Sequence, residues 1–495
     1  MVYTTHTKCL NNLLEDLQGK DSEKNLFINS YALDKAKIIV NTIEVATALT
    51  LIGFYQETIY GQPQFCLYHN GIKYSGFTKD EIAKFILDIH QKYSSQSNDV
   101  LNKLNIAINR HIKKETHVVG ILPPFELKEY RDPKAITRLF FRNTIVKVTS
   151  KEITTESYSQ FAKSKTYIDA SKIIDFDYDI TTADANESDI KKFDEHTTNG
   201  NKHLLSIKSL KGFQMHRRKD KRQKTIFIVS DENSLTINSK SGQSGKDGIF
   251  RESLKQVLNV GFESGENINI NFPFQSITQQ QDIFIFGDAP KNFPIPKLHE
   301  LKSGIDVEIK GRSKVGCTIP YEYAPHIMII TNYRLGSNNS SDKNRIFRLT
   351  INNHYDSQYT PYDDFNKTLF DDWNKSQWNN FYAYMIHCAQ VFLKHGLIEY
   401  ENPEIVKVMF SNSTSKEFVN FTNNVMELDK WYILSNLTKE ILPDRYAKYS
   451  SNASKTVLKW LNEFSNSQGL ILETKTGGGN KTHVIIKQPD LLSNS

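Results

Sequence analysis

Two rhythms of apolar residues alternate along this chain. Lys79 to Tyr93 carries Ile82, Phe85, Ile86 and Ile89, the spacing of an amphipathic helix, and Val100 to Lys114 repeats it. The run Ile38 to Ile52 is largely apolar, and periodicity leaves helix and buried strand both open for it. From Arg138 to Asp179 short apolar runs predict strands: Leu139-Phe140-Phe141, Thr144 to Val148 and Ile173 to Phe176. The acidic stretch Ala183 to Asn201 reads as a long loop or the start of a solvated helix. Leu204 to Met215 reads as a helix, and the basic run His216 to Lys224 as a solvated loop or a nucleic-acid contact. Three apolar runs then predict buried strands: Thr225 to Val229, Ile283 to Asp288 and Ile327 to Asn332. Asp247 to Leu258 has the apolar spacing of a helix, and Thr368 to Lys394 is an aromatic-rich helix.

The chain has 495 residues, 38% hydrophobic and 24% charged, enough for two to four globular domains. No stretch reaches the roughly 18 consecutive apolar residues of a spanning helix. The N-terminus lacks the basic-then-apolar pattern of a secretory signal. Cys9, Cys66, Cys317 and Cys388 have no metal-binding spacing and read as reduced, structural residues of a cytoplasmic protein. The net charge of +6 is a weak pointer to nucleic acid, so its distribution matters more.

The chemistry concentrates between residues 230 and 345. Ser241-Gly242-Gln243-Ser244-Gly245-Lys246 lies between a predicted strand and a predicted helix. That context suits a phosphate loop, whose backbone N–H groups cradle phosphates while the lysine neutralises their oxygens. Gly242, Ser244, Gly245, Lys246 and Asp247 are the candidate nucleotide-binding residues. Lys240 stands where the first glycine is expected, and Asp247 replaces the hydroxyl that holds Mg2+. The acid strand ends Gly287-Asp288 in place of paired acids, so Asp288 and Asp247 are the candidate metal ligands. Asn332 is placed to orient an attacking water or to cap a turn, and Arg345 to act as an arginine finger or to lie as a surface charge. The departures at Lys240, Asp247 and Gly287 leave open whether ATP is hydrolysed.

Residues 416–495 outline a winged helix: two helical segments, then a hairpin tipped by Gly477-Gly478-Gly479. Lys455, Lys459, Lys475 and Lys481 are its candidate DNA contacts, with protein docking the other use of such a fold.

In this order the motifs resemble the superfamily 3 helicase domain of phage and mobile-element primase-helicase proteins, of the type found in Bacteroidetes elements. The strings that carry the resemblance are Phe286 to Phe293, Val307 to Lys314, Ile330 to Tyr333, Leu369 to Trp373 and Phe140 to Asn143. It implies an α/β architecture: a P-loop, AAA+-like ATPase core over 216–415, a helicase-associated region over 131–215 and an N-terminal α+β region over 1–130. It implies a replication role in a bacterial host cell, a hexameric ring with ATP and Mg2+ between subunits, and single- or double-stranded DNA as ligand. A separate primase or polymerase is an implied partner, and no membrane is involved. Lys246 becomes the phosphate-loop lysine, Asp288 the surviving acid, Asn332 the sensor and Arg345 the finger. Lys310, Arg312 and Lys314 become the cations of a DNA-tracking hairpin, or those of an ordinary solvated one. The competing expectation is a catalytically silent relative that serves as a DNA-binding or structural subunit.

Overall fold

The computed structural model describes residues 2–34, 37–59, 62–113, 118–232, 245–268, 271–308, 315–333, 335, 340–402, 414–468 and 470–488. The ambiguous run 38–52 resolves into both alternatives. Lys37–Val40 is a strand and Thr42–Leu51 a helix, divided at Asn41, whose side chain accepts a hydrogen bond from the Glu44 N–H and caps the helix. The periodic segments fold as helices, Lys79–Tyr93 behind a Thr78–Glu81 capping box and Asn98–Lys113. Their apolar faces share a core with Leu13, Phe27, Leu49 and Phe54. Strands Phe54–Ile59, Gln62–His69 and Ile72–Phe77 form an antiparallel meander, extended in parallel by Thr166–Asp169 and Lys128–Glu129. Ile173 to Phe176 is not a strand; only an isolated bridge joins Ile174 to Phe141.

His90, on the first of these helices, is buried, and burial holds its imidazole down at about 4. Above pH 6.5 it is neutral whether the chain is folded or not, so it carries no penalty there. As pH falls from 6.5 toward 4 the unfolded chain takes up a proton that the folded chain excludes, and stability is lost. Chemical denaturation at pH 7 and pH 4.5 should show a loss of about 2–3 kcal/mol attributable to this group. His90→Leu should remove that part of the acid sensitivity; an unchanged pH dependence would contradict the assignment.

The centre of the molecule is a five-stranded sheet: β1 (Ile226–Asp231), β2 (Val260–Ser264), β3 (Ile283–Ala289), β4 (His326–Thr331) and β5 (Ile346–Ile351). All neighbours are parallel, and the spatial order is β2-β3-β4-β1-β5. Every residue of β1 and β4 is buried, as expected where both faces of a parallel sheet are covered. Alternation then divides the side chains. Phe227, Val229, Ile283, Ile285, Met328 and Ile330 face a helical layer, while Ile226, Ile228, Phe284, Phe286, Ile327 and Ile329 face Phe293, Ile295 and Leu298.

That helical layer is α1 (Asp189–His196), α2 (Asn201–Met215) and α3 (Lys375–His395). The acidic stretch is loop and turn on either side of α1, and α1 itself is packed rather than solvated, since Ile190, Phe193 and Asp194 are buried. Asp194 accepts from Lys211 Nζ on α2 at 2.6 and 2.9 Å and from the Tyr384 hydroxyl on α3 at 2.6 Å. Its charge is what disguises a core position in the sequence. α2 crosses α3 at Gly212, where a Cβ would stand 2.1 Å from the Cys388 carbonyl oxygen and 2.7 Å from Phe392 Cβ. Backbone cannot step aside there, so Gly212→Ala should cost about 3 kcal/mol in chemical denaturation despite its better helix propensity; a neutral or stabilised variant would refute this crossing.

The basic run is solvated only in part. Arg217 is buried, its N–H donating to Asp132 and its guanidinium to the Arg138 carbonyl, while Lys221 and Arg222 are exposed. Between β3 and β4, Ile305–Glu308 and Val315–Ile319 pair as an antiparallel hairpin. The C-terminal part has its own core of Phe418, Leu437, Ile441, Val457, Leu461 and Val484. It runs strand Trp431–Ile433, helix Leu434–Ile441, a helix Pro443–Gln468 interrupted at Tyr449, and strands Ile471–Gly477 and Lys481–Lys487. Its three strands form one antiparallel sheet with Lys481–Lys487 in the middle. Among the described residues no helix is long and apolar enough to cross a membrane. Cys9, Cys66 and Cys388 are free and buried, and burial pushes their thiols up to about 12, too high to be reactive.

Candidate functional site

β1 ends in Asp231, which is fully buried. The chain returns at Gly245 with φ +80°, a left-handed conformation, and a Cβ there would stand 2.9 Å from the Phe193 ring. Both facts call for glycine at this position. Lys246 follows and opens a π-type turn, Lys246–Phe250, that continues into helix Arg251–Lys255. Its ammonium lies 2.6 Å from Asp231 Oδ2, and both side chains are almost wholly removed from solvent. Gly242 and Ser244 lie outside the described residues, as does the side chain of Asp247.

The neighbouring strands bring two more predicted residues to the same edge. Ser230 and Ala289 both pair with Thr331, so β1, β3 and β4 end side by side. The Thr331 hydroxyl donates to the Ala289 carbonyl at 2.7 Å and fastens β3 to β4. Asp288 is exposed at φ +50°, where the β3–β4 register breaks between Phe286 and Ala289. An aspartate tolerates the left-handed region better than most residues, and the bulge turns its carboxylate out of the ladder. Asn332 is the first residue past β4. Its Oδ1 is buried and accepts no hydrogen bond from the described residues, a costly arrangement unless a ligand supplies a donor or a cation. A lysine, two acids and an unsatisfied amide oxygen thus share the C-terminal edge of β1, β3 and β4, a combination able to hold a phosphate and a metal ion.

Arg345 is elsewhere. It ends the short helix Ser340–Arg345 directly before β5, and its carbonyl accepts from the Thr225 N–H ahead of β1. It therefore stands at the N-terminal edge of the sheet, about 15–20 Å from Lys246 given the rise of the six-residue strand β1.

Lys310, Arg312 and Lys314 lie outside the described residues; the strands on either side of them are paired. Lys455, Lys459 and Lys481 are exposed, with Lys459 3.9 Å from Glu463 and Lys481 opening the central strand of the C-terminal sheet. Lys475 lies over the Trp431 ring at 3.8 Å. Sequence reasoning missed Asp231. Its signal was present: an acid closing the apolar run ahead of the glycine-lysine string, where a buried lysine needs a counter-charge.

No protein-family model and no curated protein matches the chain. Among solved structures it is similar to one titled the A form apo structure of the NrS-1 C-terminal region, with a TM-score of 0.36 and 12% sequence identity, covering 90% of this chain and 99% of that one.

Proposed function

We propose that the chain is a replication-associated, superfamily 3 helicase-like protein of a phage or mobile element, binding ATP at the edge formed by β1, β3 and β4 and binding DNA in an oligomeric ring. The observation that carries this reading is the parallel order β2-β3-β4-β1-β5, with the Lys246 ammonium 2.6 Å from Asp231 at the C-terminal end of β1. In an open parallel sheet, ligands bind outside the carboxyl ends of the strands where the strand order reverses. Here the chain leaves β1 toward β2 on one side and later returns past β1 to β5 on the other, so the reversal falls at β1, beside Lys246.

In this reading Lys246 would hold the β and γ phosphates, Asp288 with Asp247 would hold Mg2+, and Asn332 would orient water. The metal would supply charge neutralisation. The position of Arg345 favours action in trans: it is too far from its own Lys246 to touch the same nucleotide, so a finger role requires a neighbouring subunit. The hairpin cations Lys310, Arg312 and Lys314, and Lys455, Lys459 and Lys481 on a C-terminal winged helix, would track DNA phosphates.

A second reading, a silent relative that keeps assembly and DNA binding, is favoured by Lys240, Asp247 and Gly287 and by the hold of Asp231 on Lys246. ATP turnover by the purified chain, with and without single-stranded DNA, separates the two. DNA-stimulated turnover supports the motor. DNA binding without turnover supports the silent subunit.

A further inference from the structure

Away from the strand ends used above, two stretches distant in sequence bring together two imidazoles and a carboxylate. His196 is the last residue of α1, His354 follows β5, and Asp364 lies in the short helix Pro361–Phe365. One ligand atom from each lies within 4.8 Å of the other two. His196 Nδ1 is 2.7 Å and His354 Nε2 3.8 Å from the same oxygen, Asp364 Oδ2. Ligands bound at about 2.0–2.2 Å in a tetrahedron stand about 3.4 Å apart, between these two separations. We propose that His196, His354 and Asp364 form a site for one divalent transition-metal ion of the zinc class.

The donor set selects the metal. Two imidazole nitrogens and one carboxylate oxygen suit Zn2+, whereas Mg2+ and Ca2+ favour all-oxygen shells. The groups around Asp364 are those of a supported ligand. The Tyr355 hydroxyl donates to Oδ2 at 2.6 Å and the Tyr359 hydroxyl to Oδ1 at 3.0 Å, which leaves the carboxylate oriented toward the two rings. Hydrogen bonds from the Tyr355 and Tyr359 hydroxyls and from His196 Nδ1 fix the Asp364 carboxylate in place. Among the described residues no lysine or arginine pairs with it.

The frame is rigid. Tyr355 is fully buried and stacks on Phe193 of α1 with centroids 5.3 Å apart and planes within 6°. The Asn352 N–H donates to the Thr197 carbonyl, and Asn352 Oδ1 accepts from the His354 N–H. Half-exposed His196 and exposed His354 leave room for a water as fourth ligand. Phe193 also fills the space against Gly245, so a metal here would share one wall with the Gly245–Lys246 turn. The proposal stands independently of whether that turn binds nucleotide.

The test is a Co2+ titration of chelator-stripped, untagged full-length protein, followed by its visible d–d absorption and then by displacement with Zn2+. One equivalent should bind with the bands of a low-coordinate nitrogen–oxygen site. Asp364→Asn and His354→Ala should each weaken binding at least about a hundredfold, and Tyr359→Phe about tenfold. His354 is exposed, so its replacement leaves the core intact, and an unchanged circular dichroism spectrum verifies this. Absence of saturable binding, or wild-type affinity in folded His354→Ala, overturns the proposal and leaves Asp364 as a hydrogen-bond hub only.

Discussion

On the proposed motor reading, ATP turnover in Lys246→Ala is expected to fall at least about a hundredfold below wild type, the consequence of removing one fixed charge from a developing phosphate transition state. The variant has a second effect that the geometry makes unavoidable. Lys246 answers the charge of a fully buried carboxylate, Asp231, at 2.6 Å. Removing one partner of a buried pair costs about 3–5 kcal/mol, so the melting temperature should fall as well. The double variant Lys246→Ala/Asp231→Asn separates the two effects: it should recover most of the stability and none of the turnover. Asp231→Asn alone should release the lysine and tighten nucleotide binding, read as a lower KM. A stable Lys246→Ala protein with full turnover would place nucleotide chemistry elsewhere and sink the assignment.

Lys211→Met is expected to be the most damaging single change far from that edge. The lysine and Asp194 are each almost completely removed from solvent, and Tyr384 completes the junction of α1, α2 and α3. Leaving the carboxylate buried without its ammonium should cost about 3–5 kcal/mol in chemical denaturation. Replacing both members by apolar residues, Lys211→Met with Asp194→Leu, should recover much of that loss, because desolvating two charges largely offsets their attraction. The cycle of single and double variants would then give a coupling of several kcal/mol. Additive losses would mean that the pair is not a unit.

Three of the five central strands were legible because β1, β3 and β4 are buried on both faces and read as unbroken apolar runs. β2 escaped because it is a half-exposed edge strand containing Gly261 and Glu263, and β5 because Arg348 and Thr350 interrupt its apolar residues. The C-terminal hairpin was visible from its three glycines. α1 was hidden by its own charge, since nothing local says that Asp194 will meet Lys211 and Tyr384. Lys246, Asp288 and Asn332 were found as ends of motifs, whereas Asp231 became a candidate only when the fold closed the lysine onto it. The His196, His354 and Asp364 cluster has no linear signature at all: roughly 160 residues separate its first two members, and only the packing of α1 against the segment after β5 unites them.

The strand order also has a cost during synthesis. β1 is completed early, but the strands that flank it, β4 and β5, leave the ribosome roughly 100 and 120 residues later. At about 5–20 residues per second the nascent chain therefore carries β1 for some 5–20 seconds with both edges unpaired and its apolar faces without their neighbouring strands. Slower translation or a reduced chaperone supply in that interval is therefore expected to lower the yield of folded protein even when the finished sheet is stable.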